Sequence, residues 1–210
     1  MKYTNIFLLN NVIMCRIAFR YSVFCLEKKW AHNNNDIFTF ITSVMKRIRQ
    51  YVGIIVALLC YYVIHEGAHL VYALCQGVFK LVNVMALGVQ IDVFRDQLSD
   101  AQLGWFCLVG PLATCVAALV LVLLRGRICQ VKSKMFRACA WYTSIVMLLL
   151  DPLYIGFLYR FVGGGDMNGI KLLLPEIAVA VAFCLLAVVN TVVLFKVLLP
   201  VYTQSFKEDK

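Results

Sequence analysis

An all-α polytopic membrane protein, with about four transmembrane helices and a short membrane-associated strand or hairpin, is the fold class this sequence predicts. Three observations predict it. Of 210 residues, 62% are hydrophobic and 15% charged, and the mean hydropathy is +0.83; that balance is too apolar for a soluble domain and suits a bundle of membrane spans. The apolar residues gather into runs long enough to cross a hydrocarbon core, which takes about 20 residues in a helix. Between the first two runs the pattern changes its period, which marks a different element.

Residues 1–44 read as an N-terminal extension. Its stretch Ile6 to Cys25 is interrupted by Asn10, Asn11, Arg16 and Arg20, and the two arginines lie one helical turn apart, so an interfacial amphipathic helix fits it better than a span. Met45-Lys46-Arg47-Ile48-Arg49 then resembles the natural start of a small membrane protein, and residues 45–204 read as the working core. A signal peptide would open in the same way. That reading fails because the following run holds His65, Glu66 and His69, and no small-residue cleavage site is evident before the next polar segment. The spans expected are Tyr51 to Cys75, Ala101 to Leu124, Ala138 to Tyr159 and Ile177 to about Pro200, followed by a polar tail at 205–210. Lys196 lies near the end of the last span and can snorkel.

Leu81 to Phe94 is the segment of different period. Val89-Gln90-Ile91-Asp92-Val93 alternates apolar with polar, as a strand with one wet face does, and Gly77 and Gly88 supply flanking bends. Such a strand has an open edge that an extended peptide can join through main-chain hydrogen bonds.

The formal charge of +9 does not indicate nucleic acid. The basic residues cluster at the ends of apolar runs, where anionic headgroups and the positive-inside bias account for them. Lys46, Arg47 and Arg49 before the first span, and Arg125, Arg127, Lys132, Lys134 and Arg137 between the second and third, place both loops and both termini on the cytoplasmic side. The nine cysteines are scattered without a Cys-x-x-Cys pair, so they read as small buried hydrophobes rather than as a disulfide framework or a zinc site.

Chemistry concentrates in His65-Glu66-Gly67-Ala68-His69, inside the first span. On a helix the two histidines are one turn apart on one face, so both imidazoles can bind one zinc ion while Glu66 stands beside the attacking water as general base. Two of the chain's three histidines and one of its four glutamates occupy this motif, and ionisable side chains at membrane depth mark functional sites because they are costly anywhere else. A catalytic zinc site needs a third protein ligand. Asp166, in Gly163-Gly164-Gly165-Asp166-Met167-Asn168-Gly169, is the expected one, because consecutive glycines let the chain turn back towards the histidines. Asp151 is the alternative, and the competing reading of Asp151-Pro152 is a kink in the third span. Glu176 reads as an interfacial acid at the start of the fourth.

These residues resemble the site-2 protease family of intramembrane zinc metalloproteases. The resemblance runs over His65-Glu66-Gly67-Ala68-His69-Leu70, Cys75-Gln76-Gly77-Val78 and Ala86-Leu87-Gly88, recurs at Gly110-Pro111-Leu112-Ala113-Thr114, and ends at Gly165-Asp166 with Gly169 close behind, covering most of residues 50–170. Thr114 stands where the family usually has Asn, and Met167 where it usually has Gly. The resemblance implies one Zn2+ per chain on His65, His69 and Asp166, with Glu66 as general base for hydrolysis of membrane-embedded protein substrates. It implies a multi-pass protein of the cell membrane, working in the lipid bilayer with a regulatory membrane partner still to be identified. The family favours a site nearer the cytosol, whereas the charge pattern places His65 roughly 20 Å along the span from Tyr51, past the midplane. Two other functions share part of the pattern: a prenyl-protein type of membrane zincin, which would recruit a glutamate as third ligand, and a non-catalytic zinc-binding membrane scaffold.

Overall fold

The computed structural model describes residues 34–85, 88–163 and 165–208. The amphipathic segment expected at Ile6 to Cys25 lies outside them. Ile48–Lys210 forms one compact unit, which holds everything described below apart from the start of the first helix. Helix α1 runs Asn34–Cys75, strands β1 Phe79–Met85 and β2 Gly88–Val93 form a two-stranded antiparallel hairpin, and α2 follows at Asp100–Gln130. Helix α3, Lys134–Leu153, passes through a widened π-type turn at Tyr154–Leu158 into the short α4, Tyr159–Val162. Then come a single helical turn α5, Met167–Ile170, helix α6, Glu176–Val193, and after a second π-type turn the closing helix α7, Leu199–Lys207.

Four helical stretches are long and apolar enough to cross a membrane: Phe40–Cys75, Asp100–Gln130, Lys134–Val162 and Glu176–Lys207. Each contains one of the expected spans and extends it, the first mainly at its start and the second and fourth mainly at their ends. Two of the starts are set by capping chemistry that apolarity alone does not report. Ser99 accepts from the Gln102 backbone N–H at 3.2 Å while the Gln102 side chain accepts from the Ser99 N–H at 3.0 Å, a reciprocal box that starts α2 at Asp100. Ser133 accepts from the Phe136 N–H and starts α3 at Lys134.

Pro152 sits inside the third span and has no N–H for the carbonyl of Leu148, four residues back. Asn190 of α6 supplies the missing donor, its Nδ2 reaching that carbonyl at 2.7 Å. A polar residue in an otherwise apolar helix thus satisfies a backbone group that hydrocarbon would leave unpaired. Close packing of the same pair of helices continues at Gly156, where a Cβ would lie 2.9 Å from the backbone nitrogen of Cys184, the small-residue contact that draws helices together in membranes.

Two apolar clusters fill the bundle. One, built on Met147, Leu148, Leu194, Leu198 and Tyr202, occupies the end where α3 meets α7. The other joins Ala73 of α1, Ile91 of β2, Phe106 of α2, Ile155, and Met167 and Ile170 of α5. The hairpin is wider than the expected strand, pairing Phe79 with Val93 and Val84 with Val89, with a bulge between Phe79 and Leu81.

Candidate metal centre

Helix α1 carries His65, Glu66 and His69, and its one-turn spacing brings both imidazoles to the same face. Both are nearly inaccessible, at 5% and 3% exposure. Each Nδ1 faces an acceptor: His69 Nδ1–H donates to the Phe106 carbonyl at 2.7 Å, and His65 Nδ1–H donates to Asp151 at 3.2 Å. A carbonyl can only accept, so His69 holds its proton on Nδ1 and turns a bare Nε2 into the site. The two Nε2 atoms stand 3.2 Å apart.

Asp166 completes the group from the far side of the chain. Gly163 and Gly165 adopt φ values of 107° and 29°, left-handed conformations that side chains disfavour, where the chain leaves α4 and enters α5. Tyr154 braces this turn by donating its hydroxyl to the Gly163 carbonyl at 2.8 Å. Asp166 then opens α5, whose Met167 and Ile170 are anchored in the core at 1% exposure. Aspartate at this position usually caps its own helix. Here its carboxylate makes no such bond and instead meets His65 Nε2 at 3.1 Å and His69 Nε2 at 3.5 Å.

The two Nε2 atoms thus lie 3.2 Å apart, with Asp166 Oδ2 3.1 Å from His65 Nε2 and Asp166 Oδ1 3.5 Å from His69 Nε2. Zinc–nitrogen and zinc–oxygen bonds of about 2.0–2.1 Å put tetrahedral ligands about 3.3–3.4 Å apart. The donor set fits such an ion by chemistry as well as distance: two nitrogen lone pairs and a carboxylate converge, and a cation among them relieves their mutual repulsion. His65, His69 and Asp166 are the group among the described residues with ligand atoms gathered in this way.

Asp151 is not among those atoms. It is fully buried on α3 and sits behind His65, on the opposite ring nitrogen, where the hydroxyls of Tyr61 and Thr114 also donate to it. Glu176 is equally apart: it opens α6 and accepts a hydrogen bond from the Tyr159 hydroxyl at 2.7 Å. Glu66 is half-buried and lines a cavity of about 250 Å³ together with His69, Gln90, Ile91, Tyr154 and Asp166. Its Oε2 accepts from the Ile91 backbone N–H at 3.2 Å, which leaves Oε1 for chemistry. At about 30 Å³ per molecule the cavity has room for several waters.

Helix α2 reaches the centre through Gly110. A Cβ there would lie 2.9 Å from His65 Nε2 and closer still to His69 Nε2, so only glycine lets this backbone pass the ligand nitrogens. If the site holds zinc, Gly110→Ala is expected to displace an imidazole and to lower the affinity, with an overpacking cost of about 1–3 kcal/mol. Chelator competition and thermal unfolding in detergent measure the two effects, and unchanged affinity would show that α2 does not crowd the site.

No family model matches the chain, and neither a curated protein nor a solved structure is similar to it.

Proposed function

We propose that the chain is an intramembrane zinc metalloprotease, similar to the site-2 protease family, that hydrolyses peptide bonds of membrane-embedded protein substrates. One observation carries the reading: His65 Nε2, His69 Nε2 and the Asp166 carboxylate converge, with contacts of 3.1–3.5 Å, beside Glu66 and a cavity of mixed polar and apolar lining, in a chain with four potential spans.

Zinc in that position supplies Lewis-acid polarisation of a carbonyl and makes water acidic enough to ionise near neutral pH. The chain's own residues do the rest. Glu66 Oε1 takes the proton of the attacking water and returns it to the departing amine, while the Ile91 N–H holds the other oxygen in place. The cavity stores the water that a site at membrane depth needs. Strand β2 also offers the substrate an edge. The Ile91 N–H points to Glu66 and away from β1, and Val89, Gln90 and Ile91 line the cavity. A helical peptide bond is shielded by its own hydrogen bonds; a locally unwound segment recovers them by pairing with that edge.

A prenyl-protein type of zincin is disfavoured by the position of Glu176 outside the ligand cluster. The four apolar helices support a multi-pass membrane protein for this function. Reconstituted in liposomes with a single-span substrate, the protein is expected to lose cleavage when treated with 1,10-phenanthroline and to regain it with stoichiometric zinc. Cleavage indifferent to the chelator would reject a metalloprotease, and bound zinc with no cleavage of any substrate would favour a metal-binding scaffold.

A further inference from the structure

We propose that Asp151 is the positioning residue of the metal centre, holding the His65 ring so that Nε2 rather than Nδ1 meets the metal, and supplying a buried negative charge that neutralises the loaded site. The inference rests on the metal reading above and goes beyond it in assigning a role to a carboxylate that binds no metal. Asp151 has no solvent exposure and lies within a span, where an unpaired charge is expensive. Its partners come from two other helices: Tyr61 and His65 from α1, and Thr114 from α2. All three can donate, and none is a permanent cation. The carboxylate is therefore solvated by dipoles, and its charge is left to balance something else nearby. Zinc carries two positive charges, and Asp166 with Asp151 carries two negative ones, so the loaded centre is neutral before Glu66 takes part. Neutrality matters most in an apolar bundle, where a net charge is least screened.

Orientation follows from the same contacts. Tyr61 stacks on His65 with ring centroids 5.2 Å apart, which fixes the ring plane, and the Asp151 contact at Nδ1 fixes the proton. The arrangement parallels that of His69, whose Nδ1–H is held by the Phe106 carbonyl, but only the His65 anchor is charged. Thr114 then has a reason to be in an apolar helix: its hydroxyl keeps the carboxylate turned towards the imidazole.

The test is Asp151→Asn, which keeps shape and removes charge, with zinc affinity read by chelator competition and coordination geometry read from the visible spectrum of the Co2+-substituted protein. Loss of an outer-sphere partner of a metal ligand typically weakens binding about 10–100-fold, and we expect a change in that range together with an altered cobalt spectrum. If Asp151 merely staples three helices, the unfolding temperature of the metal-free protein falls while affinity per folded molecule and the cobalt spectrum stay as in wild type, which overturns the proposal. Should Asp151→Asn fail to fold, Thr114→Val serves instead: it is shape-conserving and suited to a membrane helix, and it should weaken zinc binding several-fold, no change being the refuting result. Failure of the parent reading looks different, because wild type itself would then bind neither zinc nor cobalt.

Discussion

Glu66→Gln is expected to abolish cleavage of a reconstituted single-span substrate while zinc content and fold remain as in wild type. Glutamine keeps the volume of the side chain and can still accept from the Ile91 N–H through its carbonyl oxygen, so the contact that holds Glu66 against β2 at 3.2 Å survives. What it cannot do is take a proton from water. General acid–base groups contribute about 10²–10⁴-fold to rate, and in the proposed mechanism one residue serves both the attack and the departure of the amine, which points to the upper end of that range. The size of the loss separates this role from a purely structural one: removing a half-buried contact would shift stability and leave the rate per folded molecule intact. Cleavage retained by a zinc-loaded Glu66→Gln protein would sink the general-base assignment.

Much of this architecture could be read without coordinates because hydrocarbon leaves few choices. A run such as Ala101 to Leu124 has one way to satisfy its backbone at membrane depth, so its length and apolarity determine a helix, and the structure has α2 there. The alternation at Val89 to Val93 announced β2 in the same way. Pairing was less legible: Phe79 and Lys80 show no clean period, and they enter β1 because Val93 and its neighbours offer an edge. The site divides similarly. His65 and His69 share a face by helical spacing alone, and the run of glycines before Asp166 signalled unusual backbone, found as positive φ angles at Gly163 and Gly165. Asp151 could not be placed from sequence. Whether a carboxylate on α3 meets a metal or stands behind a histidine depends on the rotation of α3 about its own axis, which is set by Pro152, the π-type turn and the Asn190 contact, none of which leaves a periodic trace. The roles of Tyr61, Thr114 and the Phe106 carbonyl were missed for the same reason. A polar Thr114 in an apolar run was their one visible signal.

Asp166→Asn is expected to cost more zinc affinity than any outer-sphere change, well beyond the about 10–100-fold assigned to loss of a ligand's hydrogen-bond partner. Asparagine can still present an oxygen at that place, but it is a weak ligand with no charge, so the ion would be left with two strong donors and a net positive charge inside an apolar bundle. The turn that delivers the residue should survive. The positive φ angles of Gly163 and Gly165 and the buried Met167 and Ile170 are untouched by the change, so helix content by circular dichroism should match wild type. Zinc per protein after gel filtration in detergent then ranks the carboxylates: lowest in Asp166→Asn, intermediate in Asp151→Asn, highest in wild type. The reverse order would make Asp151 the ligand and require the His65 ring to flip, exchanging Nδ1 for Nε2. Equal retention in both variants would mean that neither aspartate responds to the metal, and the site-2 protease reading would then be wrong at its centre.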